Sequence, residues 1–195
     1  MVSILAVPTA LMPLAAAAQV APDRTASANA PEAVYRYNVY AGFAYASLNQ
    51  VNHSRYGVIG GELAVSRNFG RFFAVTADGA FLPKSLASGN PGNPSVDQVL
   101  FGPEVHGVVY ENWSVFLRGL IGGEHSGGEH QTPNISFAGG MGGGVEHSLG
   151  PRWAVRAFGE DIASSFSIIN NTPQLNASPH RRWNSQAGIG VVYRF

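Results

Sequence analysis

The feature that most constrains this chain is a hydrophobic period of two, repeated in eight segments between Tyr35 and Phe195. Such a period belongs to an extended strand, whose successive side chains leave on opposite faces. In Tyr35–Ser47 one parity carries Tyr37, Val39, Ala41, Phe43 and Tyr45, and the other carries Asn38, Tyr40, Gly42, Ala44 and Ala46. The same division runs through Val58–Arg67, Phe72–Phe81, Gln98–Tyr110, Trp113–Glu124, Ile135–Glu146, Trp153–Ile162 and Trp183–Phe195. Segments of about ten residues match tilted strands that cross a bilayer. An even number of antiparallel strands can close with no unpaired backbone edge, as a bilayer requires. The pattern therefore predicts an all-β fold, an eight-stranded antiparallel up-and-down transmembrane β-barrel.

Alternation is also found in soluble sandwiches and barrels, where the apolar face points inward. The polar parity separates the two cases. It mixes both charge signs with many Gly and Ala, as a narrow and crowded interior needs. Arg36, Arg118, Arg156 and Arg194 stand against Glu62, Asp78, Glu104, Glu124, Glu146 and Glu160, and His106 shares the parity of Glu104. These residues are expected to form a charge network in the lumen. Charged residues make up only 12% of the chain, about half the usual share. After the N-terminal stretch, no apolar run nears the ~20 residues of a membrane helix. Twelve Lys and Arg balance twelve Asp and Glu, which gives no basic footprint for nucleic acid. The absence of Cys excludes disulfides, thiol nucleophiles and thiolate metal sites.

The connections sort by length. Those at 68–71, 111–112 and 148–151 are tight, whereas 48–56, 82–97, 125–134 and 163–182 are long and polar. Short turns on one side and long loops on the other are the asymmetry of outer-membrane barrels. Phe73, Trp113 and Trp153 each follow a short turn, where an aromatic girdle at the membrane interface is expected. Residues 1–18 are apolar and end in Ala16-Ala17-Ala18, which reads as a signal peptide, although no Lys or Arg precedes Arg24. Residues 19–33 read as a flexible lead-in, and 34–195 as the barrel domain.

The last segment ends with Ile189, Val191, Tyr193 and Phe195 at alternate positions. With this ending, residues from about 34 to 195 resemble the OmpA-transmembrane-like superfamily of small eight-stranded outer-membrane proteins. The resemblance implies residence in the outer membrane of a Gram-negative-type bacterium, among its lipids. It also implies that Ile189, Val191, Tyr193 and Phe195 are the signature that the barrel-assembly machinery reads during insertion. A closed barrel has no edge that demands a partner, so a monomer is expected.

The chain offers few residues for chemistry. A nucleophilic triad would need Glu124, His125 and Ser126 to converge, yet neighbours in a strand point to opposite faces. No catalytic residue is therefore assigned. Glu124, His125, Glu129 and His130 could gather near a metal in one loop, while His147 belongs near a short turn at the other end. The simpler expectation is a solvated loop, with no metal and no cofactor. The run Gly139–Gly144 has no helix after it and so is no phosphate loop. The expected function is that of a non-enzymatic barrel with a side-chain-filled lumen. It would anchor the envelope or display loops to an unidentified extracellular partner. The alternatives are a narrow channel for small ions and a lipid-modifying hydrolase. Fractionation with the outer membrane and heat-modifiable gel migration are expected, and recovery as a soluble, detergent-independent monomer would refute the membrane assignment.

Overall fold

A computed structural model describes residues 35–49, 55–85, 94–128, 133–164 and 182–195. The expected signal peptide and lead-in lie outside the described residues. Eight strands run in order: β1 (Tyr37–Asn49), β2 (Arg55–Asn68), β3 (Phe73–Ser85), β4 (Pro94–Tyr110), β5 (Trp113–Gly128), β6 (Asn134–Ser148), β7 (Trp153–Ser164) and β8 (Arg182–Arg194). Each pairs antiparallel with its sequence neighbour, and β8 returns to β1, so the sheet is a closed barrel. Closure is completed at the C-terminus. Phe195 donates its N–H to the Tyr37 carbonyl at 2.9 Å, and Tyr37 donates to the Phe195 carbonyl at 3.0 Å.

Strands β2 to β7 are longer than the alternation suggests, chiefly at the long-loop end. Pro94 pairs with Gly128 and Ser95 with Gly127, beyond the last residues with an apolar period. Backbone hydrogen bonds continue the ladder there without any side-chain pattern to mark it. Pro103 stands inside β4 with Val75 as its register partner on β3. On the β5 side the register steps from Phe101–Ile121 to Glu104–Arg118. Proline has no N–H for that ladder, and its ring is exposed on the outer wall.

The two parities separate as the sequence predicts. Tyr40, Ala44, Ala64, Leu100, Phe116, Leu120 and Phe158 are buried inside, and Phe43, Leu63, Phe101, Leu117, Ile135 and Ile189 are exposed outside. An apolar outer wall of this extent is what a hydrocarbon solvent demands. Phe73, Trp113 and Trp153 are exposed at the short-turn end. Around them, Trp113 lies 4.5 Å from His147, Trp153 lies 4.8 Å from Tyr193, and Tyr37 stacks on Phe195 at 5.7 Å between ring centroids. One tight turn uses Glu111 in the left-handed region, with φ 26°, next to a bulge between Val108 and Tyr110. Val108, register partner of Ser114 just before the bulge, is 60% exposed at this short-turn end.

The glycine run in β6 is built into the interior packing. Gly142 stands in register between Arg118 of β5 and Glu160 of β7. Gly144 stands between Phe116 and Phe158 in the same way. A Cβ on Gly142 would land on the Cβ of Glu160, and one on Gly144 would lie 2.8 Å from the Cβ of Phe158. A Cβ on the outward Gly119 would meet nothing within 4 Å. Gly142→Val should therefore cost about 1–3 kcal/mol through overpacking, and Gly119→Val should change little. Urea titration of the detergent-folded barrel, followed by tryptophan fluorescence, checks both.

Candidate functional site in the lumen

The lumen is crossed by two guanidinium groups, each supplied by a strand whose register partner is glycine. Arg118 faces Gly142 across the β5–β6 pair, and Arg156 faces Gly190 across the β7–β8 pair. The missing side chains leave room for each arginine to lie across the barrel.

Arg118 gathers carboxylates from three other strands. Its Nε donates to Glu160 of β7 at 2.9 Å, one terminal nitrogen donates to Asp78 of β3 at 2.8 Å, and the other reaches Glu62 of β2 at 3.3 Å. The guanidinium also lies 4.5 Å from the centroid of the Phe158 ring. Gln186 donates to the second oxygen of Glu62 at 3.0 Å, and Gln98 donates to Gln186 at 3.0 Å. The Arg118 side chain is 1% exposed and those of Glu62 and Asp78 are 0% exposed, so this layer presents almost no surface to water.

Arg156 organises a second layer nearer the short turns. Its Nε donates to Glu146 at 3.0 Å, and its two terminal nitrogens reach Glu104 at 3.3 and 3.4 Å. The group stacks 4.3 Å from the centroid of the Phe116 ring. Thr76 donates to Glu104 at 3.2 Å and shares a 2.8 Å hydrogen bond with Ser66. Arg194 bonds the other oxygen of Glu146 and donates to Ser148 at 3.1 Å. His106 Nε2 lies 2.9 Å from Glu104.

The structure thus brings Glu62, Asp78, Arg118 and Glu160 into one layer, and Glu104, Glu146, Arg156 and Arg194 into another, with His106 at its side. Two residues of the expected network stand apart. Arg36 precedes β1 and is exposed, apart from both layers. Its carbonyl accepts from the Asn68 N–H at 2.9 Å, at the short-turn rim of the β1–β2 pair, where a side chain of inward parity is open to solvent. Glu124 is buried in the lumen but joins neither guanidinium, and its Oε2 has no donor among the described residues. Sequence reasoning from charge alone omits the residues that complete the layers: Ser66, Thr76, Gln98 and Gln186, and the aromatic lids Phe116 and Phe158. Their inward parity was the available signal.

The possible triad residues are split by the sheet. Glu124 and Ser126 are buried inside, while His125 faces out and pairs with Asp97 at 3.5 Å. Among the described residues no group of three or more His, Cys, Asp and Glu is placed to hold a metal, and Glu129 and His130 lie outside them.

No family model matches the sequence, and no curated protein matches it. Solved structures match the fold. Neisserial surface protein A aligns with a TM-score of 0.65 at 10% identity, over 82% of this chain and 97% of its own. Ail, the attachment invasion locus protein of Yersinia pestis, aligns at 0.55 and 16% identity over 82% and 97%. The N-terminal barrel domain of Pseudomonas aeruginosa OprF aligns at 0.52 and 9% identity over 83% and 98%. The chain therefore has the fold of the small eight-stranded outer-membrane β-barrels.

Arg118→Met would leave Glu62, Asp78 and Glu160 facing one another in a buried layer. Removing one partner of a buried ion network typically costs about 3–5 kcal/mol. Arg118→Met combined with Glu62→Gln, Asp78→Asn and Glu160→Gln should recover most of that loss. Unfolding midpoints of both variants in detergent test this, and an unchanged midpoint for the single variant would contradict it.

Proposed function

We propose that this protein spans a bacterial outer membrane as a closed, non-enzymatic barrel and acts through the loops at its long-loop end, either as an envelope anchor or as a surface for recognition. The observation that carries this reading is the Arg118 layer, in which one buried guanidinium joins β5 to β2, β3 and β7 straight across the lumen. An eight-stranded barrel is just wide enough for side chains to fill, and here they fill it with ion pairs and aromatic rings. Such an interior gives rigidity rather than passage. The outer wall supplies the apolar surface that a bilayer takes up, and the aromatic band at the short-turn end marks one interface. The strand ends joined by the four long connections, 50–54, 86–93, 129–133 and 165–181, lie at the same end of the barrel. Attachment is named for the Yersinia neighbour, so surface recognition is a task this fold can carry.

Planar-bilayer recording of the purified chain separates this reading from a narrow ion channel. The bilayer should stay at its lipid-only baseline. Steady, reproducible single-channel openings would overturn the closed-lumen reading, and their loss on further plugging would establish a channel instead.

A further inference from the structure

The outer wall carries a groove of about 770 Å³ where β8, β1 and β2 meet in their long-loop halves. That volume lies within the ~300–1,000 Å³ typical of small-molecule sites. Phe43, Tyr45, Ile59 and Ile189 form its walls, and Gly61 and Ala187 leave its floor low. On an apolar wall such a groove is matched by an acyl chain. Its upper lip is different, because it is polar and basic.

Three groups meet there. The Tyr45 ring lies over Gly57, so its hydroxyl reaches the level of Ser47, the register partner of Gly57. Arg55, two outward positions beyond Ile59 on β2, is exposed and donates one N–H to the Ser47 hydroxyl at 3.2 Å. A guanidinium has five N–H donors in a planar fork. The Ser47 bond places the Arg55 head at the top of the groove, and among the described residues it occupies one N–H of that fork. Outward carboxylates on nearby strands have partners of their own: Asp97 pairs with His125, and Asp161 accepts from Ser185 at 2.7 Å. An apolar slot topped by a fixed cation and two hydroxyls is complementary to a lipid that carries both a chain and a net negative phosphate.

We propose that this groove seats one anionic phospholipid, with an acyl chain along Phe43, Ile59 and Ile189 and the phosphate on Arg55, Ser47 and Tyr45. The proposal rests on the membrane-spanning reading above. It adds a defined lipid site to what would otherwise be a uniform solvent contact.

Native mass spectrometry tests it, using the full chain released from detergent with an equimolar mixture of phosphatidylglycerol and phosphatidylcholine of identical chains. One phosphatidylglycerol should be retained roughly tenfold over phosphatidylcholine, the scale of one charge-assisted hydrogen bond. Arg55→Ala should erase that preference while keeping total lipid adducts. Gly61→Leu should reduce both adducts, since a Cβ at Gly61 meets only the Gly42 carbonyl, at 3.9 Å, and the longer side chain extends into the groove. Heat-modifiable migration confirms that each variant is folded. Equal retention of the two lipids by a membrane-inserted wild type overturns this proposal alone. So does a preference that survives Arg55→Ala, adducts untouched by Gly61→Leu, or dimers in place of lipid. A wild type that fractionates as soluble overturns the membrane reading and the lipid site together.

Discussion

The interaction on which the rest of this structure depends is a single buried guanidinium held by three carboxylates from three other strands. Arg118 contacts Glu62, Asp78 and Glu160, and its flat face lies against Phe158. Taking these charges out of water is expensive, and only near-complete mutual pairing offsets the cost. Pairing in turn requires the four strands to hold one register, because a slip of one residue moves every charge to the lipid face. The layer therefore acts as a registry device, fixing which residues of β2, β3, β5 and β7 share a level. The Arg156 layer does the same for β4, β6 and β7, and Arg194 extends it to β8.

Glycine makes these layers physically possible. Gly142 lies between Arg118 and Glu160, and Gly144 between the two aromatic lids. A barrel this narrow has room for long side chains only where their register partners have none. The glycines that weaken a strand's intrinsic preference are thus compensated by the networks they admit. On the outer wall the economy is reversed, since large apolar groups face the bilayer, and the small Gly61 and Ala187 open the groove below Arg55.

Most of the fold was legible from the chain. The eight alternations identify all the strands, and tight turns such as 111–112 identify the hairpins that join them. The upper strand ends were not legible, because pairs such as Ser95–Gly127 are set by the backbone ladder. The bulge between Val108 and Tyr110 was equally hidden, since it depends on how the chain negotiates Glu111. Among the lumen charges, parity matches the residues that are buried, whereas Arg36, of the same parity, is exposed at the short-turn rim. It gave no account of Glu124, which has the right parity but no guanidinium within reach.

What the sequence determined by itself is the two-faced strand pattern, and with it the closed barrel, because period and strand number are local properties that a single chain displays. What only the tertiary structure decided is the partition of the lumen into two layers around Arg118 and Arg156, and the cluster of Tyr45, Ser47 and Arg55 above an apolar groove. Both depend on which residues of different strands share a height. That height is fixed by the stagger of the whole closed sheet, a quantity that no single segment carries.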